Sequence, residues 1–299
     1  MPLSDMGRCV VVGDVMMDVT ARIATSIAYA SDTPARISIQ PGGSAAMTAA
    51  WLGSSGFPVT FVGCIGDDPF GRQVAATLTA LGVQAHLTVS AGRPTGTCVI
   101  LVDAQHERTM LPDTGANSDL DAGAVRALDL GRGDHVHLSG YVLLNPEARA
   151  AGVRIIEDAR AAGASCSLDP ASAAPLLAAR DVVLELLPMF DILIANEDEA
   201  AVLSGGGDPV ASLEVLGAIV PTVVVKRGGR GVTARSAGTT VSAAAPTVPV
   251  VDTTGAGDAF AAGFLAAWLP GAGLAAAVDA GQSLAGVAVG RVGASPPGR

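Results

Sequence analysis

The sequence predicts an α/β fold: a mostly parallel central sheet with helices on both faces, three layers in all, and a small β-sheet set apart from it. Three observations predict it. First, short apolar runs recur and end at Gly, Asp or Asn, and helical stretches follow them. The runs are Cys9 to Val12, Val59 to Gly66, His135 to Leu138, Ala164 to Leu168, Asp191 to Ala195 and Thr222 to Lys226. Strands alternating with helices imply parallel strands joined by right-handed crossovers. Second, four extended pieces break this rhythm: Asp18 to Ile23, Ala35 to Gln40, Thr97 to Asp103 and Arg108 to Leu111, the last two joined by the polar turn Ala104 to Glu107. Ala35, Ile37 and Ile39 alternate with Arg36, Ser38 and Gln40, the pattern of a half-exposed strand. Third, no polar linker and no internal repeat of roughly 20–50 residues divides the chain. One domain over residues 1–299 is expected, with a lid formed by about 18–40 and 97–112.

The helices have their own signals. Pro41-Gly42-Gly43 precedes an Ala-rich helix, and Asp67-Asp68 can cap a helix from Gly71 to Leu81. Further helices are predicted over Asp121 to Leu128, Pro146 to Ala162 and Ala173 to Leu187, the last ended by Pro188. Asn196-Glu197-Asp198-Glu199 opens a helix to Leu203; Leu213 to Ile219 and Gly273 to Gly290 follow.

Composition excludes several functions. With 299 residues, 49% hydrophobic and 15% charged, the chain buries a sizeable core and is not disordered. A net charge of −10 disfavours a nucleic-acid partner. Lys226 is the only lysine among 18 basic residues, and VVVKRGGRG is not a P-loop, so a nucleotide triphosphate would be bound without that clamp. The four cysteines, Cys9, Cys64, Cys98 and Cys166, form no CxxC pair and read as buried hydrophobes in a reducing compartment. No membrane-spanning run and no signal pattern in MPLSDMGR is found, so a soluble, cytoplasmic protein is expected.

The chemistry concentrates in Val251 to Leu269. Thr247 to Val251 reads as extended, Asp252-Thr253-Thr254 follows, and Gly255-Ala256-Gly257 makes a glycine turn. Asp258 then opens an apolar helix that stops at Pro270-Gly271. A helix start directs unpaired N–H groups and a positive dipole end into such a turn, which suits an anion such as phosphate. A carboxylate there can take a proton from a hydroxyl alongside. On spacing alone, Asp258 is equally a first-turn helix residue.

DTTGAGDAF resembles the second signature of the ribokinase-like (PfkB) family of sugar and nucleoside kinases. That resemblance implies a ribokinase-like fold, with Asp258 as catalytic base and Gly255, Ala256, Gly257 and Thr254 around the transferred phosphate. It gives Asp18 to the sugar hydroxyls and makes the Gly42-Gly43 pair the point where the sugar nears the backbone. Asn117, in Gly115-Ala116-Asn117, lies close to the sugar. Met47 stands where the family has a hydroxyl-binding Asn, a departure, since a thioether is a poor partner for a hydroxyl. Asn196 and Glu199 match the N-x-x-E motif that organises Mg²⁺ through water; a capping acidic helix start is the plain alternative. Asp169 matches a position near the phosphates. Lys226, Gly228 and Gly231 match the G-x-x-G loop bordering the nucleotide, though a glycine turn between strands alone would be a hairpin. Gln282 stands where an Asn beside the adenine is usual. Asp252, with the backbone near Gly293, would hold K⁺. The family's cofactors are ATP and Mg²⁺, and its lids pack into a homodimer.

Other readings stay open. Asp14 reads as a cap, His135 and His137 share one strand face without further ligands, and His86 and His106 are remote in sequence. A dinucleotide-binding oxidoreductase would need a third glycine where Phe260 stands. A non-catalytic sugar- or nucleoside-binding protein is the alternative that Met47 suggests.

Overall fold

The computed structural model describes residues 7–105 and 107–298; Met1 to Met6, most of the stretch searched for a signal, and His106, set aside as a metal ligand, lie outside the described residues. In chain order the strands are β1 (Cys9–Val12), β2 (Met16–Ile23), β3 (Ala35–Gly42), β4 (Val59–Gly66), β5 (Gln84–Ser90), β6 (Gly96–Val102), β7 (Arg108–Asp113), β8 (His135–Ser139), β9 (Ser165–Asp169), β10 (Ile192–Asn196), β11 (Thr222–Lys226), β12 (Val232–Ser236) and β13 (Thr239–Ala243). The helices are α1 (Ser44–Ser54), α2 (Pro69–Ala80), α3 (Ala122–Arg126), α4 (Gly140–Leu144), α5 (Arg149–Ala162), α6 (Ala173–Ala178), α7 (Arg180–Leu186), α8 (Glu197–Ser204), α9 (Pro209–Gly217), α10 (Ala256–Trp268) and α11 (Leu274–Val289).

Nine strands form the large sheet in the order β13-β12-β11-β10-β9-β8-β1-β4-β5. From β5 to β11 every pair is parallel, and at the other end the β11–β12 and β12–β13 pairings are antiparallel, so that β12 alone is reversed. A central strand buried on both faces is apolar throughout, and its alternate residues feed two cores. Val11 points to a core built with α1, α2, α10 and α11, whereas Val10 and Val12 point to one built with α3 to α9. Ile192 and Ile194 against Leu193 and Ala195 repeat the division on β10. These are the expected three layers.

The second sheet has four strands in the order β3-β2-β6-β7, mostly antiparallel, with β2 and β6 parallel. Its register puts Arg36, Arg22, Val102 and Arg108 in one row across the sheet.

Some expectations change. Strands β5 and β13 are not predicted by the sequence; they are the two edge strands of the sheet, partly exposed and without the apolar run that marks a central strand. No strand forms over 244–250, because Pro246 and Pro249 cannot donate to a ladder, and Val250 and Val251 are 66% and 55% exposed. The helix expected over Ala173 to Leu187 is broken at Ala179, which lets Arg180 turn and donate to Val202 O and Leu203 O at the end of α8. α5 begins at Arg149 rather than Pro146, and α9 runs from Pro209, capped by Asp208, rather than from Leu213. Asp68 caps α2 by accepting from Gly71 N; Asp67 instead pairs with Arg72 on the surface.

Candidate active site

A cavity of about 1,050 Å³ opens between the four-stranded sheet and the ends of β1 and α10. Asp18, Gly43, Met47, Asn117, Thr254, Gly255, Gly257 and Asp258 line it, so it gathers most of the residues assigned to acceptor and phosphate. Asn196, Glu199, Lys226, Gly228, Gly231 and Gln282 lie outside its lining.

Asp258 stands in the first turn of α10. Gly255 before it takes φ 74°, a left-handed conformation that costs a Cβ-bearing residue strain, and a Cβ there would also come within 2.7 Å of the Ala294 backbone. The first-turn N–H groups of α10 have no acceptor within the helix. Asp258 Oδ1 accepts a hydrogen bond of 2.7 Å from Ser44 Oγ. Burial pushes the Asp258 carboxyl up to about 7; the Ser44 bond and Lys226 oppose this, and the charges of Asp169 and Asp14 add to it. A carboxyl titrating there is poised as a base near neutral pH.

Asp14 behaves as the cap expected: its oxygens accept from Ser44 N at 2.6 Å, Ala45 N at 3.3 Å and Ser139 Oγ at 2.7 Å, tying the start of α1 to β1 and β8. Asp18 faces the cavity, and burial, helped by the Asp14 charge, raises its carboxyl to about 6. On β3, where Gly42 is level with Met16, the missing side chain leaves room for Asp18: a Cβ on Gly42 would lie 2.4 Å from the Asp18 carboxyl carbon. Asn117 is less free than a dedicated ligand. Its Oδ1 accepts from Val15 N at 2.9 Å and its Nδ2 donates to the Val15 and Thr114 carbonyls, so it stitches β2 to the turn that carries it. Met47 is 1% exposed, with Ser295 Oγ 3.6 Å from its sulfur.

On the other side of the α10 tip, Lys226 Nζ pairs with Asp169 Oδ2 at 2.7 Å. A Cβ on Gly257 would sit 3.4 Å from that nitrogen, so the chain's lone ammonium lies beside the glycine turn. Burial works to lower its pKa, but Asp169, Glu199 and Asp258 outweigh burial and hold it raised. Glu199 is buried, and burial with the Asp169 charge lifts it to about 7, with Lys226 opposing. Its two oxygens accept from Asn196 N at 2.8 Å and Asn196 Nδ2 at 2.6 Å, closing a capping box with Asn196. Among the described residues no group of three or more His, Cys, Asp or Glu could hold a metal. An ion that keeps its waters and sits on phosphates needs no such cage, so Asp169 and Glu199 fit an outer role toward Mg²⁺.

Gly228 to Gly231 form a tight turn between β11 and antiparallel β12, which is the hairpin the plain reading gave. Gln282 is buried on α11. His135 and His137 are neutral and buried; their rings bond Ser165 and Ser167 hydroxyls, and burial drops them to about 3 and about 4.

Asp252, which the resemblance gives to K⁺, is met by hydrogen-bond donors. Oδ1 accepts from Thr254 N at 2.9 Å, Thr254 Oγ1 at 2.6 Å and Arg108 Nη1 at 3.3 Å. Oδ2 accepts from Gly293 N at 3.2 Å and Arg22 Nη2 at 3.4 Å. A carboxylate surrounded by donors, two of them guanidinium groups, already has its counter-charge.

The pfkB family carbohydrate kinase model matches residues 6–298. The chain belongs to that family. A fructokinase of Klebsiella pneumoniae is 31% identical over 267 residues, which is 87% of this chain and 84% of the fructokinase. An ATP-dependent ribose-1-phosphate kinase of Halopiger xanaduensis is 32% identical over 292 residues, 97% of this chain and 94% of its own. The crystal structure of adenosine kinase from Sinorhizobium meliloti superposes with a TM-score of 0.87 at 27% identity, covering 97% of this chain and 96% of that one. The fold is therefore ribokinase-like, and membership of the pfkB family removes the dinucleotide oxidoreductase from consideration.

Three side chains at this pfkB site escaped the sequence reading. Ser44, the first residue of α1, belongs to no motif read from the sequence. Arg22 and Arg108 sit on strands expected to belong to the lid, yet they reach the Asp252 turn, and Arg108 also bonds the Thr253 and Thr254 hydroxyls. Their placement at one end of the four-stranded sheet was the available signal, but it needs the strand register to be read.

Proposed function

We propose that this pfkB protein is an ATP-dependent kinase that phosphorylates a hydroxymethyl group of a sugar or nucleoside. The observation that carries this reading is the Asp258 carboxylate at the tip of α10, facing the cavity and held by Ser44. An acceptor hydroxyl lies between Asp18 and the Gly42-Gly43 turn. Asp258 takes its proton as the oxygen attacks the γ-phosphorus in line, the bond from that phosphorus to the β-phosphate oxygen breaks, and ADP leaves. First-turn N–H groups over Gly255, Ala256, Gly257 and Asp258 hold the charge on the equatorial oxygens, and Thr254 borders them. Lys226, kept protonated by Asp169, adds a positive charge beside the turn. Mg²⁺ carried in with ATP would neutralise phosphate charge, and Glu199 with Asn196 would be the residues that meet its waters. Gly228, Gly231 and Gln282 border the nucleotide. Phosphoryl transfer needs chiefly such positioning and charge stabilisation.

The strands around 18–40 and 97–112 act as the lid that excludes water, on a single kinase domain. The sheet's other face carries exposed Ile37, Ile39, Val99 and Leu111, one of whose rows is Ile39, Val19, Val99 and Leu111, and supports a homodimer formed lid to lid. No described helix is long and apolar enough to cross a membrane. An ADP-release screen over pentoses, hexoses, sugar phosphates and nucleosides tests the function. Turnover of one acceptor class is expected; saturable binding shown by melting shifts without ADP release would instead favour a binding protein.

A further inference from the structure

We infer that Arg22 and Arg108 stand in for a monovalent cation at Asp252, and that this chain works without K⁺. The observation is geometric. Asp252, whose side chain is only 11% exposed, opens the turn that leads into the α10 tip. Both of its oxygens meet guanidinium nitrogens, Arg108 Nη1 at 3.3 Å and Arg22 Nη2 at 3.4 Å. Backbone N–H groups of Thr254 and Gly293 and the Thr254 hydroxyl complete the shell. K⁺ seeks oxygen acceptors, whereas the groups converging on this carboxylate are donors, and a second cation would meet two fixed positive charges.

The pairing is built by strand register. Arg22 on β2 is level with Arg36 on β3 and Val102 on β6, and Val102 is level with Arg108 on β7. Residues level across a sheet share a face, and this row faces the cavity formed with the Asp252 turn. In a chain of net charge −10 with a single lysine, three arginines in one row are a concentrated charge. Arg108 also donates to the hydroxyls of Thr253 and Thr254. The guanidinium groups therefore act as positioning groups. They fix the turn and supply there the charge an ion would otherwise bring, and they bring it on the four-stranded sheet rather than from solution.

The turnover part of this inference rests on the kinase reading; the ion-binding part does not. Wild type and the Arg22→Ala/Arg108→Ala double variant are compared in potassium chloride and choline chloride at equal ionic strength, by melting temperature and by ADP release. Wild type is expected to melt and turn over alike in both salts. The double variant should lose about ten- to a hundredfold of turnover in choline. K⁺ or low guanidinium should restore much of that loss and raise the variant's melting temperature, an effect that a merely structural role would not produce. Arg108→Lys, which keeps a charge, should remain indifferent to K⁺ and serves if the double variant fails to fold. Wild-type turnover or melting that depends on K⁺ overturns the inference, as does a folded double variant that K⁺ neither stabilises nor rescues, or an Arg108→Lys variant that requires K⁺. If wild type phosphorylates no acceptor, the kinase reading fails, while the melting shifts still decide whether arginine or K⁺ occupies the Asp252 turn.

Discussion

Ser44 Oγ lies 2.7 Å from Asp258 Oδ1 and donates to it, joining the first residue of α1 to the first turn of α10. The two positions are 214 residues apart, and the bond exists because Asp14 holds the start of α1 against β1. It fixes the orientation of the proposed base and favours its charged form.

Ser44→Ala removes the side-chain hydrogen bond that lowers the Asp258 pKa. The carboxyl then titrates above its present value of about 7. The acid limb of the pH–rate profile should move to higher pH, and turnover near neutral pH should fall about tenfold, the worth of one bond to a charged group. A pH–kcat profile of the variant checks both; an unmoved limb would contradict the coupling.

Asp258 also links stability to pH. Its folded-state pKa, about 7, lies above the ordinary carboxyl value of 3.8, so the native state binds the extra proton between those values. Its contribution is therefore full in acid and is lost as pH rises through about 7. Asp258→Asn cannot ionise, so its melting temperature minus that of wild type should grow as pH is raised from about 5 to about 8. Paired thermal melts across that range measure it, and a constant difference would mean the carboxyl is not raised.

Lys226→Met leaves Asp169 buried without its partner. Breaking a mostly buried pair in this way costs about 3 kcal/mol or more. The variant should unfold at lower denaturant and bind ATP more weakly, whereas Lys226→Met/Asp169→Leu should recover much of the stability but not the nucleotide affinity. Urea melts and ATP titration separate the two effects.

How much of this was legible in the sequence depends on how far apart the partners lie. The central strands announced themselves: CVVV and ILIAN are apolar runs too short for helices, and the glycine turn before Asp258 marked the helix start. Edge strands such as TTVSA were not legible, because half their residues face water. Thr247 to Val251 belongs to neither sheet, because residues beside Pro246 and Pro249 have no ladder to join. Asp258, Asp18 and Met47, which line one cavity, each stand in a recognisable local pattern. Ser44, Arg22 and Arg108 were missed because their roles arise from contacts across 144 to 230 residues of chain, which no local spacing encodes.

Asp258→Asn replaces one carboxylate oxygen with an amide of nearly the same shape, leaving the α10 tip and the nucleotide side unchanged. Measured as ADP release with the best acceptor alongside ATP affinity by calorimetry, it should lower kcat about 10²- to 10⁴-fold while ATP affinity stays close to wild type. A variant that keeps most of its turnover at unchanged ATP affinity would show that the proton goes elsewhere, and Asp258 would not be the base.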